Sequence, residues 1–284
     1  MIEPPKNIRL IYYYHNHLKS KNIHLNVNLS NKGQILNEIN NYICSIPKET
    51  QKIISEDIKN NGQLNIIGIE KLAWLNNEKL CCYAWNFLNP STAFQQQQTF
   101  TNTAFPINYC QVLPKSTPIS HDERYYLLID FFDAWNANAD IKFGLMEFIK
   151  NEYKTASERK DPFKWLTEDD STLCDWTWEY LSKSKINTRI DSTPINNKEK
   201  YLYIYIAFYL WLANEKEVEL FSIKISKAIS QIKFRRKIKE KKAINTYVNK
   251  DIKIKLDRLC KAQNKKINEI LEQLITSEYE KNKK

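Results

Sequence analysis

Lys241–Leu259 reads KKAINTYVNKDIKIKLDRL, and its first half does not look like its second. Ile244, Thr246 and Val248 alternate with Asn245, Tyr247 and Asn249, the period of a strand with one apolar face. Ile252, Leu256, Leu259 and Cys260 then recur at helical spacing, with Asn249 suited to cap the helix they open. Gln263-Asn264-Lys265 interrupts that pattern, and asparagine is the residue that best tolerates a left-handed helix end when glycine is absent. A second helix is predicted from about Ile267 to Tyr279, with Ile267, Ile270, Leu271, Leu274 and Ile275 facing inward.

A lone strand leaves its backbone donors and acceptors unpaired, so the strand needs a partner from outside the segment. Strand, helix, turn and helix within about forty residues form the ribbon-helix-helix pattern, in which two copies pair their strands antiparallel and lay the ribbon in the DNA major groove. This predicts a dimer core of Thr246, Val248, Ile252, Leu256, Leu259, Ile270, Leu271 and Leu274. Asn245 and Tyr247 would face base edges, with Lys242 just before them as a third candidate reader. Phosphate contacts would come from Lys233, Arg235, Arg236, Lys237, Lys239 and Lys241 upstream, and from Lys265, Lys266 and Asn268 at the start of the second helix. A helical hairpin with an extended lead-in, packed on the rest of the chain, is the competing fold for this stretch.

Charge points the same way. The chain has 284 residues and a formal net charge of +10. Residues 222–284 carry 19 Lys and Arg against 7 Asp and Glu, whereas the remaining residues carry 24 against 26. All the excess positive charge therefore lies in the last 63 residues, as expected of a polyanion-binding module joined to a near-neutral body. A solvated basic tail would give the same totals.

The body reads as mainly α. Its hydrophobic fraction, 42%, excludes a wholly disordered chain, and only four glycines argue against sandwiches, barrels and glycine-loop nucleotide folds. Helical patterns cover Gly33–Cys44, Ile67–Leu88, Asp122–Trp135 and Ile141–Tyr153. His24–Leu29 alternates like a short strand, and 89–120 is polar and proline-punctuated, like a long loop. Pro162 marks a break, so the sequence predicts a helical domain over 1–165, a bundle over 170–240 ending in a basic helix, and the ribbon-helix-helix domain over 241–284.

Three stretches of the last two-fifths resemble the macrodomain Ter protein family (MatP), bacterial chromosome-organising proteins. They are WTWEYLSK (Trp176–Lys183), ISQIKFRRK (Ile229–Lys237) and LDRLCKAQNKKINEILEQLI (Leu256–Ile275), the last aligning with both family helices without a gap. The resemblance implies a helical bundle joined to a ribbon-helix-helix domain that binds, as a homodimer, a short palindromic site on double-stranded DNA. The sequence departs from the family at Asn264, where the family has glycine, and at Lys266, where it has a hydroxyl cap. Asn245 and Tyr247 replace a strongly basic pair, and residues 1–170 have no counterpart.

A local repressor of transcription or plasmid copy number would use the same domain. An enzyme acting on nucleic acid would have to draw on His15, His17, His24 and His121 with Asp122, Glu123 and Asp130, which lack metal-ligand spacing. The expectation is a non-enzymatic protein with no cofactor and no metal. Trp165, Trp176, Trp178 and Trp211, with the tyrosines of 201–209, read as bundle core rather than as stacking platforms for single strands. Six cysteines without a CxxC pair, no apolar run of ~20 residues and no leader pattern predict a cytoplasmic protein outside the membrane.

Overall fold

A computed structural model describes residues 8–91, 107–237, 242 and 244–283. Among these residues are twelve α-helices, one 3-10 helix and no strand. The chain divides into two compact units, residues 1–223 and 224–284.

The first unit holds α1 (Leu10–Ser20), α2 (Lys32–Ser45), α3 (Lys48–Asn65), a 3-10 helix (Ile69–Asn76), α4 (Glu78–Leu88) and α5 (Tyr109–Val112). After them come α6 (His121–Ala134), α7 (Ala139–Ser157), α8 (Ser171–Lys183) and α9 (Asn197–Leu210). Two helices sit at its centre because they are apolar on nearly every side. Seven consecutive residues of α9, Leu202–Phe208, are buried, and α4 buries Cys81–Asn86 and Leu88. The first packs on α8, α4 and α7; the second packs on α6 and α7. α1 lies against α2, α3 and α6. One continuous core joins Ile11 and Leu18 to Phe131, Leu145 and Leu210, so residues on both sides of the expected border at 165–170 share it. Trp165, Trp176, Trp178 and Trp211 are half-buried in ring contacts: Trp165 meets Trp176, Trp178 meets Tyr203, and Trp211 meets Phe221.

Asparagine does at helix ends much of what glycine and serine do elsewhere. The side chains of Asn31, Asn77, Asn108, Asn138, Asn196 and Asn214 each accept a backbone N–H in the first turn of the helix that follows. Asn77 explains why Ile67–Leu88, expected as one helix, is two: its side chain takes the Leu80 N–H and starts α4 afresh. Three non-glycine residues have positive φ, namely Asn22 (62°), Lys185 (55°) and Asn264 (49°). Each ends a helix in the same way. The N–H of the residue that follows it reaches back to a carbonyl five positions earlier, as in Ile23 to Leu18 (3.0 Å), Ile186 to Leu181 (3.0 Å) and Lys265 to Cys260 (3.1 Å).

His24–Leu29, expected as alternating strand, has no regular structure; Leu25, Val27 and Leu29 instead pack partly buried on the core. The described part of the 89–120 loop includes the short helix α5, held by a reciprocal Asn108–Gln111 cap.

Buried ion pairs connect helices far apart in sequence. Arg124 of α6, fully buried, donates from both terminal nitrogens to Glu199 of α9 at 2.7 and 2.8 Å. Arg9, which precedes α1, makes a similar fork with Asp133 of α6 at 2.7 and 2.6 Å.

The second unit contains the end of α10 (Glu215–Lys237), the segment ahead of α11 (Lys250–Gln263), and α12 (Ile267–Lys281). The helix pair matches the sequence expectation closely, including the left-handed Asn264 (φ 49°, ψ 42°) between the two helices. The expected strand over 244–248 is absent among the described residues. A ladder requires a neighbour's backbone, and no described segment of this single chain supplies one. Asn249 stands at the start of α11 with extended backbone, but its side chain does not cap the helix.

Two variants test this account. Arg124→Met leaves the Glu199 carboxylate buried without its partner and is expected to cost about 3–5 kcal/mol in urea unfolding, most of it recovered by adding Glu199→Leu. If the double variant is no more stable than Arg124→Met, the pair is not the source of the loss. Lys185→Gly removes the steric cost of a left-handed lysine and should raise stability by about 1 kcal/mol, seen as a higher Tm.

Candidate nucleic-acid interface

Along α10, Val218, Phe221, Ser222, Ile225 and Ile229 are buried, at the three- and four-residue spacing of a single face. Beyond Ile229 the helix turns basic: Lys233, Arg235 and Arg236 are exposed, and Lys237 is its last residue. Lys239 and Lys241 lie outside the described residues. Lys242 is exposed.

All six residues from Ile244 to Asn249 are exposed, Tyr247 completely so at 104%. Asn245 and Tyr247, the expected base readers, are therefore open to a ligand. Exposure does not separate them from Thr246 and Val248, which were expected to face inward.

The helix pair behind this segment has an inside too small for its apolar content. Ile270, 1% exposed, is its one buried residue. Leu256 is half-buried, while Ile252, Leu259, Leu271 (38%) and Leu274 (50%) are exposed. So are Ile254, Ile267, Ile275 and Tyr279. Of the expected dimer-core positions, then, Ile270 alone is covered within a single chain.

At the turn between the helices, Lys265 donates its ammonium to Gln273 Oε1 at 2.9 Å, which holds the side chain along α12. The Lys266 N–H donates to Glu269 Oε2 at 2.9 Å, giving the carboxylate half of a capping box. Lysine has no acceptor with which to return the bond. One of the backbone donors expected to meet phosphate is thus already occupied. Asn268 is exposed in the first turn of α12. On α11, Lys253 pairs with Asp257, and Lys255 lies 3.6 Å from Asp251. Lys250, Arg258 and Lys261 are exposed with no such partner and form a basic strip that the sequence reading had not singled out. Plotting α11 on a helical wheel would have revealed it, because these three positions lie opposite Ile252 and Leu259.

The histidine and acid positions weighed as a catalytic set have separate engagements. His17 Nδ1 is 3.1 Å from Asp57, and Asp130 is 2.5 Å from Lys32. Glu123 accepts the Ile119 N–H at 2.8 Å, and Asp122 is exposed in the first turn of α6. Burial pushes the His15 imidazole below its ordinary pKa, His24 is exposed, and His121 rests beside the Tyr125 ring. No group of three or more His, Cys, Asp or Glu among the described residues could hold a metal ion. No helix among them is long and apolar enough to cross a membrane. Compared with protein-family models, with curated proteins and with solved structures, the chain matches none.

Proposed function

We propose that the protein is a homodimeric, sequence-specific double-stranded DNA-binding protein whose C-terminal unit is a ribbon-helix-helix domain. The observation that carries this reading is an uncovered apolar surface in residues 244–283 that follows, in sequence, the most basic part of the chain, residues 224–242, which hold nine Lys and Arg against one acid. A second copy would cover that surface and supply the neighbour that the expected strand needs. Ile244, Thr246 and Val248 pair with their symmetry mates, while Ile252, Leu259, Leu271 and Leu274 close over the same axis. The ribbon then presents Asn245 and Tyr247 to the major groove, and Lys233, Arg235 and Arg236 neutralise phosphate beside it.

The sequence resemblance to the macrodomain Ter family supports a chromosome-organising role over a local repressor. Mapping bound sites across a genome separates the two: many dispersed or clustered sites support the organiser, whereas one or two promoter sites support the repressor.

Leu274→Glu places a carboxylate in the proposed dimer core. It should sediment as a monomer and lose duplex binding; a dimer that still binds DNA would sink the proposal. Side chains that touch phosphate and side chains that read bases should also separate in a salt titration. Arg235→Ala is expected to weaken cognate and random duplexes alike and to lower the slope of log K against log salt by about 1. Asn245→Ala and Tyr247→Ala should each reduce discrimination between the two duplexes by roughly 1–3 kcal/mol while leaving the slope unchanged.

A further inference from the structure

Asn249 is the exception among the asparagines that precede helices. Asn31, Asn77, Asn108, Asn138, Asn196 and Asn214 all spend their side-chain oxygen on a helix N–H, but Asn249, with φ −61° and ψ 150°, caps nothing. Its amide keeps two donors and an acceptor uncommitted, and it is exposed. In an extended segment it shares a face with Asn245 and Tyr247, about 13 Å beyond Asn245. That face bears two amides, one phenol and no charge. By the same period Lys242 has the parity of Ile244, on the opposite face, while Lys241, which has that of Asn245, lies outside the described residues.

We infer that Asn249 is a third base-reading residue, and that the ribbon selects adenine at the positions its two asparagines reach. The inference rests on the DNA-binding reading above. An amide matches the N6 donor and N7 acceptor of adenine in bidentate fashion, whereas guanine's two acceptors call for the paired donors of arginine or lysine, which this face lacks over 245–249. Two copies related by a two-fold axis repeat the requirement in each half-site, so the preferred duplex is a palindrome with adenines at symmetric positions.

Selection of bound duplexes from a random library by the full-length protein, in parallel with Asn249→Ser, tests the inference. Serine still caps a helix but cannot make the bidentate amide contact. The wild type should enrich symmetric sites with fixed adenines. Asn249→Ser should keep its Tm and lose the preference at one symmetric pair of positions by about tenfold. Guanine at those positions, or unchanged preferences in Asn249→Ser, would overturn the inference while leaving DNA binding intact. A reduced Tm with unchanged preferences would make Asn249 a cap and nothing more. No enriched duplex at all from the wild type would instead remove the DNA-binding reading, and this inference with it.

Discussion

The end of this chain is governed by apolar surface that a single copy cannot hide. Ordering a helix costs backbone entropy at every residue, and burial of apolar side chains is the main term that offsets it. α11 and α12 bury Ile270 and leave at least eight large apolar side chains exposed. Backbone hydrogen bonds and exposed pairs such as Lys255–Asp251 contribute too little to close that gap. Covering Leu271 and Leu274 is therefore a condition of the unit's stability as well as of its proposed activity. In the proposed dimer, the stability of the unit depends on protomer concentration.

The first unit has a core of its own. Five of its helices begin at asparagines that accept a first-turn donor (Asn31, Asn77, Asn108, Asn138 and Asn196), and its core runs from α1 to α9. Charged groups are buried there as well. Asp133, inside the Arg9 fork, is raised above the usual carboxylate range by burial, which the arginine opposes. Lys142 is brought down to about 8, chiefly by burial, with Asp133 resisting the shift. The contrast between the units is one of burial: the first packs a continuous core, and the second leaves most of its large apolar side chains exposed.

Much of the helical layout was legible in the sequence because it follows from local periodicity. The interval from Ile252 to Leu259, the turn at Asn264 and the start of α12 at Ile267 all depend on residues within a few positions of one another. The split at Asn77 was hidden because the apolar pattern runs straight through it, and only the cap shows that the helix restarts. His24–Leu29 alternates like a strand, yet lies as an irregular strap because the core beneath it is helical. At the interface, composition located the basic residues but not their engagements: Lys265 is tied to Gln273, and the Lys266 N–H to Glu269. Which amide caps and which stays open depends on side-chain rotation, and residue type alone does not encode that at Asn249.

The Arg124–Glu199 pair also sets a schedule. Its partners are 75 positions apart, so during synthesis the guanidinium of α6 emerges well before the carboxylate that receives it. At roughly 5–20 residues per second, the ribosome leaves that arginine without its partner for about 4–15 s. The early helices thus cannot close their core one by one as they leave the exit tunnel. The core they share with Leu202, Tyr203, Ile206 and Leu210 is completed only when α9 arrives.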